Sequence, residues 1–208
     1  MFKLYGNPGA ASVAPHVMLI EAHAPHEFIN VDLDSGEHLK PEYRRINPHG
    51  LVPTLIEGDH AMYESAAITM YLCERFPETG LMPGPGTPER PRFLQWMTYL
   101  TNTVQTEHMH YWHPDNYMDS EAGRAELHQT AERRLGNIWA HIDSALAAGG
   151  PYLTGADCTA ADIFLTMLTR WSRKLAKPPA DFPHLKALAS RVKARPAYKA
   201  MMKAEGID

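Results

Sequence analysis

Asn47-Pro-His-Gly-Leu-Val-Pro53-Thr-Leu-Ile56, followed one turn later by Glu64-Ser65, reads as a loop, a strand and the start of a helix. Proline directly after an apolar residue, just ahead of a strand, is a candidate cis peptide, and the cis form of an X-Pro bond costs only about 0.5 to 1 kcal/mol. Such a bond would turn the N–H and C=O of Val52 outward, where an extended peptide can pair with them as an added strand. Ser65 precedes the apolar-periodic run Ala66, Ile68, Met70, Tyr71, Leu72 and reads as a helix N-cap, with free N–H groups and a dipole that attract a carboxylate. Glu64 beside it would hold an ammonium. Val-Pro alone would only open a strand, and Ser65 alone would only cap a helix. Their order, one hairpin apart, suits a small zwitterionic peptide held by its backbone.

Around this stretch the pattern is βαβ, then a short helix, then ββα. Phe2 to Tyr5 and Phe28 to Leu33 read as strands, joined by an apolar helix over Ser12 to Ala22. Leu39 to Ile46 is a short helix. Thr54 to Glu57 and His60 to Tyr63 form a hairpin across Gly58-Asp59, and Ser65 to Phe76 closes the unit. From Pro77 to Pro91 proline and glycine accumulate, which suits neither helix nor sheet. Everything beyond reads helical, including Glu89 to Tyr111, Ser120 to Ala148, Thr159 to Leu175, Pro183 to Ala194 and Pro196 to Ala204. Thr159 with Asp162 has the spacing of a capping box, a structural feature. The expected boundaries are an N-terminal domain at 1–78, a linker at 79–88 and an all-helical domain at 89–208.

Bulk properties narrow the partners. The chain has 208 residues and a formal net charge of −4, so it carries no electrostatic footprint for nucleic acid or an anionic membrane. Its two cysteines, Cys73 and Cys158, sit in apolar patterns that suit reduced thiols, and the N-terminal residues read as a strand, so neither a leader nor a spanning segment is expected. A cytoplasmic protein is expected. Twelve histidines raise the question of a metal, above all His108, His110 and His113. On a helix only the last two share a face, and zinc needs three or four convergent ligands, so no metal is expected.

Val52-Pro53, the hairpin and Glu64-Ser-Ala-Ala-Ile-Thr-Met-Tyr-Leu72 resemble the cytosolic glutathione transferases, and Thr159-Ala-Ala-Asp162-Ile resembles their second-domain capping box. Asp34 to Lys40 and Glu64 to Ile68 look like the phi and theta classes, whereas Pro8 to His16 looks like the bacterial beta class. The resemblance implies a thioredoxin-like domain followed by an all-α domain, glutathione as co-substrate, and a homodimer. It further implies a glutathione site at Leu51, Val52, Pro53, Glu64 and Ser65, with His38 and Lys40 taking the glycine end. Tyr111, Trp112 and Trp171 are candidates for an apolar cleft between the domains that would take the electrophile, Trp171 matching a tryptophan of beta-class sites.

The chemistry turns on what meets the glutathione sulfur. A thiol of pKa about 8.5 is only a few per cent ionised at pH 7, a deficit of roughly 2 kcal/mol. One hydrogen bond to the anion contributes about 1.5 to 3 kcal/mol, and a helix N-terminus about 0.3 to 1 more. A single hydroxyl there suffices. Ser12 matches the phi and theta serine by resemblance, and Pro15, lacking an N–H, would remove one bond that a capping serine usually accepts. Tyr5 and Asn7 are the alternatives, the first otherwise a core aromatic and the second a turn residue. Ala11 stands where the beta class has cysteine, which argues against thiol–disulfide catalysis by the protein, and Gln105-Thr106 replaces the beta-class His-Lys pair. The expected activity is conjugation of glutathione to small hydrophobic electrophiles; a binding or regulatory protein, or a glutathione-dependent peroxidase or isomerase, are the other readings.

Overall fold

The computed structural model describes residues 1–207; the last residue of the expected helical domain, Asp208, lies outside them. Four strands form one mixed sheet in the order β2-β1-β3-β4, with β1 Phe2–Gly6, β2 His26–Asn30, β3 Thr54–Glu57 and β4 His60–Tyr63. β1 and β2 are parallel, as the crossover through α1 (Val13–Glu21) requires, and β1 pairs antiparallel with β3. Phe2, Leu4 and Gly6 alternate inward along β1. The second strand begins two residues earlier and ends three earlier than its sequence pattern suggests. It ends where Val31 N–H turns to donate to the Gly6 carbonyl.

Register brings three chain segments to one end of this sheet. Tyr5, next to last in β1, is opposite Thr54, and Thr54 is opposite Tyr63. Asn7, Pro53 and Glu64 therefore all leave the sheet at the same end. Glu64 leads into α3 (Ser65–Arg75), which packs against α1. The expected helix over Leu39 to Ile46 is instead a 3-10 turn at Glu37–Leu39 and a short α2 at Pro41–Arg44, since proline suits a first helical position.

The chain divides into two compact units, Met1–Met82 joined by the segment from Lys193 onward, and Pro83–Val192. This differs from the boundaries expected from composition. The last helix, α9 (Pro196–Glu205), belongs with the sheet: it packs on α1, with Arg195 Nε donating to Glu21 Oε1 at 2.6 Å. In the second unit α4 (Arg90–Tyr99) runs through a π-helical segment, Leu100–Gln105, into α5 (Thr106–Trp112). α6 (Glu121–Gly149), α7 (Ala160–Trp171) and α8 (Pro183–Lys193) complete it. α7 is buried along nearly all its length, and the Asp162 carboxylate caps its start, accepting from the N–H groups of Thr159 and Leu153 at 2.7 and 2.8 Å. No helix among the described residues is long and apolar enough to cross a membrane.

Candidate functional site

Asn47 to Pro53 is fixed from beneath. Asn47, fully buried, donates from Nδ2 to the Leu51 carbonyl at 2.7 Å and accepts the His49 N–H on Oδ1. Tyr43 donates its hydroxyl to the same carbonyl at 2.7 Å and takes the Thr54 hydroxyl at 2.9 Å, and burial raises its pKa. Gly50 turns at φ +62°, and a Cβ there would stand 2.9 Å from the His38 carbonyl oxygen, so the two loops touch. The Val52–Pro53 bond is cis. With the Leu51 carbonyl doubly held, neither the N–H nor the C=O of Val52 has a partner among the described residues. Sequence reading quoted Asn47 and Gly50 without giving them this clamping role; an Asn-x-x-Gly ahead of Val-Pro was the available signal.

Glu64 has φ +73° and ψ +105°, a conformation in which a residue with a side chain costs of order 1 to 3 kcal/mol and which clusters at ligand clamps. It is exposed and precedes α3 directly. This corrects the expectation for Ser65, which is the first residue of the helix and not its cap. Its hydroxyl is committed inward, donating to the Ala11 carbonyl at 2.5 Å, and so ties the start of α3 to the start of α1. The first-turn N–H groups of α3, which have no partner within a helix, are what this corner offers an anion.

Of the three candidates for the sulfur, Ser12 and Asn7 engage neighbouring carbonyls within the chain. Ser12 is fully buried, donates its hydroxyl to the Asn7 carbonyl at 3.2 Å, and crowds Gly6 so closely that a Cβ on Gly6 would meet Ser12 Oγ at 2.5 Å. Asn7 is likewise occupied, its Nδ2 donating to the Val31 carbonyl at 3.1 Å. Tyr5 is half-buried, edge-on to Tyr43 with ring centres 6.1 Å apart, and its hydroxyl takes no hydrogen bond among the described residues.

A residue distant in sequence holds the same turn. Glu205 Oε2 accepts the Gly9 N–H at 2.9 Å, and Oε1 accepts His16 Nδ1 at 2.8 Å, with His16 stacked on Phe28. Nothing local in the sequence of α9 announces this. Near Gly50, His38 has its Nδ1 buried without a partner, while Lys40 is exposed at the start of α2.

In the second unit Trp112 is exposed and donates its Nε1 to the Trp171 carbonyl at 3.1 Å, so these two come together. Tyr111 turns toward α6, stacked on His128 with ring centres 4.2 Å apart, while its other neighbour is the edge of Trp112 at 5.0 Å. The histidines of this helix disperse. His108 is buried, donates to the Val104 carbonyl and accepts from Ser172, and burial pushes its pKa down to about 4; His110 lies against Tyr117. Among the described residues no group of three potential metal ligands forms. Cys73 is buried in α3, its thiol pushed up to about 12 by desolvation, an inert thiol by this measure.

A thioredoxin-like domain followed by a helical domain is the architecture of the glutathione transferases. The chain matches the family described as Glutathione S-transferase, N-terminal domain, over residues 4–80, and Glutathione S-transferase, C-terminal domain, over residues 106–205. It is 30% identical over 207 residues to Glutathione S-transferase GST-4.5 of Xanthomonas campestris pv. campestris, covering 99% of this chain and 100% of that protein. A glutathione transferase homolog from Sulfitobacter, solved with bound glutathione, superposes with a TM-score of 0.91 at 27% identity, covering 100% of this chain and 99% of that one. A glutathione transferase from Methylococcus capsulatus is 36% identical with a TM-score of 0.87, over 99% of both chains. The chain belongs to the glutathione S-transferase family and is a transferase.

Proposed function

We propose that the chain conjugates the thiolate of reduced glutathione to small hydrophobic electrophiles. The observation that carries this is the unengaged backbone of Val52, held rigid between the clamped Leu51 carbonyl and Pro53, at the sheet end where Glu64 departs in a strained conformation. Val52 pairs with the cysteinyl backbone, flanked by Leu51 and Pro53. The γ-glutamyl carboxylate meets the N–H groups at Ser65 and the next turn of α3, and Glu64 takes the ammonium. His38, with its buried unpartnered nitrogen, and Lys40 receive the glycine carboxylate.

The sulfur sits at the start of α1. Its negative charge is stabilised by the Tyr5 phenol, while Ser12, Asn7 and Glu205 keep the turn in shape. The thiolate attacks an electrophilic carbon of the second substrate. By the same family reading the protein works as a cytoplasmic homodimer in detoxification.

A glutathione resin should retain the protein, and turnover of chlorodinitrobenzene should fall at least tenfold in Tyr5→Phe. Equal turnover in Tyr5→Phe with a collapse in Asn7→Ala would reassign the donor. The absence of a free serine or cysteine at the helix start favours one other reading, a glutathione-binding or regulatory protein with little catalysis. Saturable binding without turnover of any electrophile would establish that reading instead.

A further inference from the structure

Tyr43 gathers three chain segments on one residue. Its backbone carbonyl accepts the N–H groups of Ile46 and Asn47 at 2.9 and 3.0 Å, which leads the chain out of α2 and places Asn47. Its hydroxyl donates to the Leu51 carbonyl and, having only one proton to give, accepts from Thr54. Its ring meets Tyr5 of β1 edge-on. Thr54 is fully buried and Tyr43 nearly so, and the two hydroxyls answer each other rather than water. Burial raises the pKa of Tyr43, so it stays a donor over the whole range in which a thiol ionises.

The bond to Leu51 acts one residue further on. The cis bond is the one after Val52, so the Leu51–Val52 peptide is trans, a rigid plane whose C=O and N–H point in opposite directions. Asn47 Nδ2 and the Tyr43 hydroxyl each hold the Leu51 oxygen at 2.7 Å and occupy both its lone pairs. Two anchors on the carbonyl therefore aim the Val52 N–H away from them. A group held in its bound orientation before the ligand arrives spares the ligand the cost of ordering it. On the strand side, Thr54 stands opposite Tyr5 in the β1/β3 register, and the Tyr43 ring flanks the Tyr5 ring at 6.1 Å between centres, inclined by 65°. Edge-to-face contact of this kind favours one orientation of the ring.

We infer that Tyr43 is a positioning residue with two separable roles: its hydroxyl aims the Val52 N–H at the cysteinyl backbone of glutathione, and its ring directs the Tyr5 phenol to the sulfur. It acts through Leu51 and Tyr5, not on the tripeptide itself. The inference rests on the reading above that glutathione docks at Val52 with its sulfur near Tyr5, and it makes docking and thiol ionisation depend on one side chain.

Calorimetry with reduced glutathione, and the ultraviolet absorbance of the bound thiolate followed against pH, test both roles without recourse to turnover. Tyr43→Phe keeps the ring and loses the hydroxyl. Its glutathione Kd should rise about fivefold, the equivalent of one hydrogen bond of about 1 kcal/mol, while the bound thiol titrates as in the native chain. Tyr43→Leu loses both, and should weaken binding at least as much and also raise the thiol midpoint by about one pH unit, a tenfold loss of ionisation. Tyr5→Phe should raise that midpoint as well. A purely structural Tyr43 would lower the urea midpoint and leave Kd and thiol titration of the folded variants as they are in the native chain, a result that overturns the inference. So does a Tyr43→Leu midpoint equal to the native one where Tyr5→Phe raises it. A native chain that binds no glutathione, or a midpoint that Tyr5→Phe leaves in place, overturns the underlying reading of the site and this inference with it.

Discussion

Glu205 of α9 and His16 of α1 meet at 2.8 Å with both side chains withdrawn from solvent, and the second Glu205 oxygen holds the Gly9 N–H. One carboxylate therefore joins the last helix to the turn that starts the first. Removing one partner of a buried pair strands the other, at a cost of about 3 to 5 kcal/mol. Glu205→Ala should lower the urea-unfolding free energy by an amount in that range. Glu205→Gln, which still accepts from Gly9, should lose less than half as much. Equal stability of native and Glu205→Ala protein would refute the latch.

Glu64 stores strain at the proposed ligand clamp. Glycine adopts its φ of +73° without penalty, so Glu64→Gly should leave stability unchanged or raise it by about 1 kcal/mol. Glutathione affinity should fall in the same variant, since the carboxylate for the ammonium is gone. Thermal melting and calorimetry on one preparation read both; lost stability with retained affinity would invert the account.

Gly50 offers the converse case, a residue required where it stands. Alanine would adopt a left-handed φ at about 1 to 2 kcal/mol and drive its Cβ against the backbone oxygen of His38 at 2.9 Å. Gly50→Ala should therefore weaken folding by roughly 1 to 3 kcal/mol and glutathione binding together. Unfolding by urea and titration with glutathione, run in parallel, check the coupling.

His108 makes folding depend on pH. Burial holds its folded pKa near 4 against an ordinary 6.5, so between those values the unfolded chain binds the extra proton. Its contribution is fully present above pH 6.5 and is lost as pH falls through that window, amounting to about 3 kcal/mol by pH 4 at most. Urea midpoints measured from pH 7.5 to 4.5 should decline, and His108→Leu should show a shallower decline from a lower starting stability. A slope identical to that of the native chain would assign the effect to other groups.

Much of the glutathione corner was legible because it is local. The turn pair Gly58-Asp59 located the hairpin Thr54–Glu57 and His60–Tyr63 to the residue, and the order of Val52-Pro53 and Glu64-Ser65 carried the ligand reading. Illegible were contacts spanning the chain. Glu205 reaches Gly9 and His16 from nearly two hundred residues away, and no local periodicity encodes that partner. Side-chain direction was the other blind point. Ser12 and Ser65 stand at the helix starts where sequence placed them, yet both hydroxyls turn inward to the carbonyls of Asn7 and Ala11, a choice set by the packing of α1 and α3. The π-helical segment before Thr106 is equally silent in sequence, since it reads as ordinary helix.

Amide hydrogen exchange at Val52, followed by NMR with and without millimolar reduced glutathione, tests the central claim most directly. The N–H has no partner among the described residues, and pairing with the bound tripeptide should slow its exchange by at least about tenfold, while the N–H of Glu57 at the far end of β3 stays unchanged. Glutathione that binds without protecting Val52, or that fails to bind at all, would contradict the account.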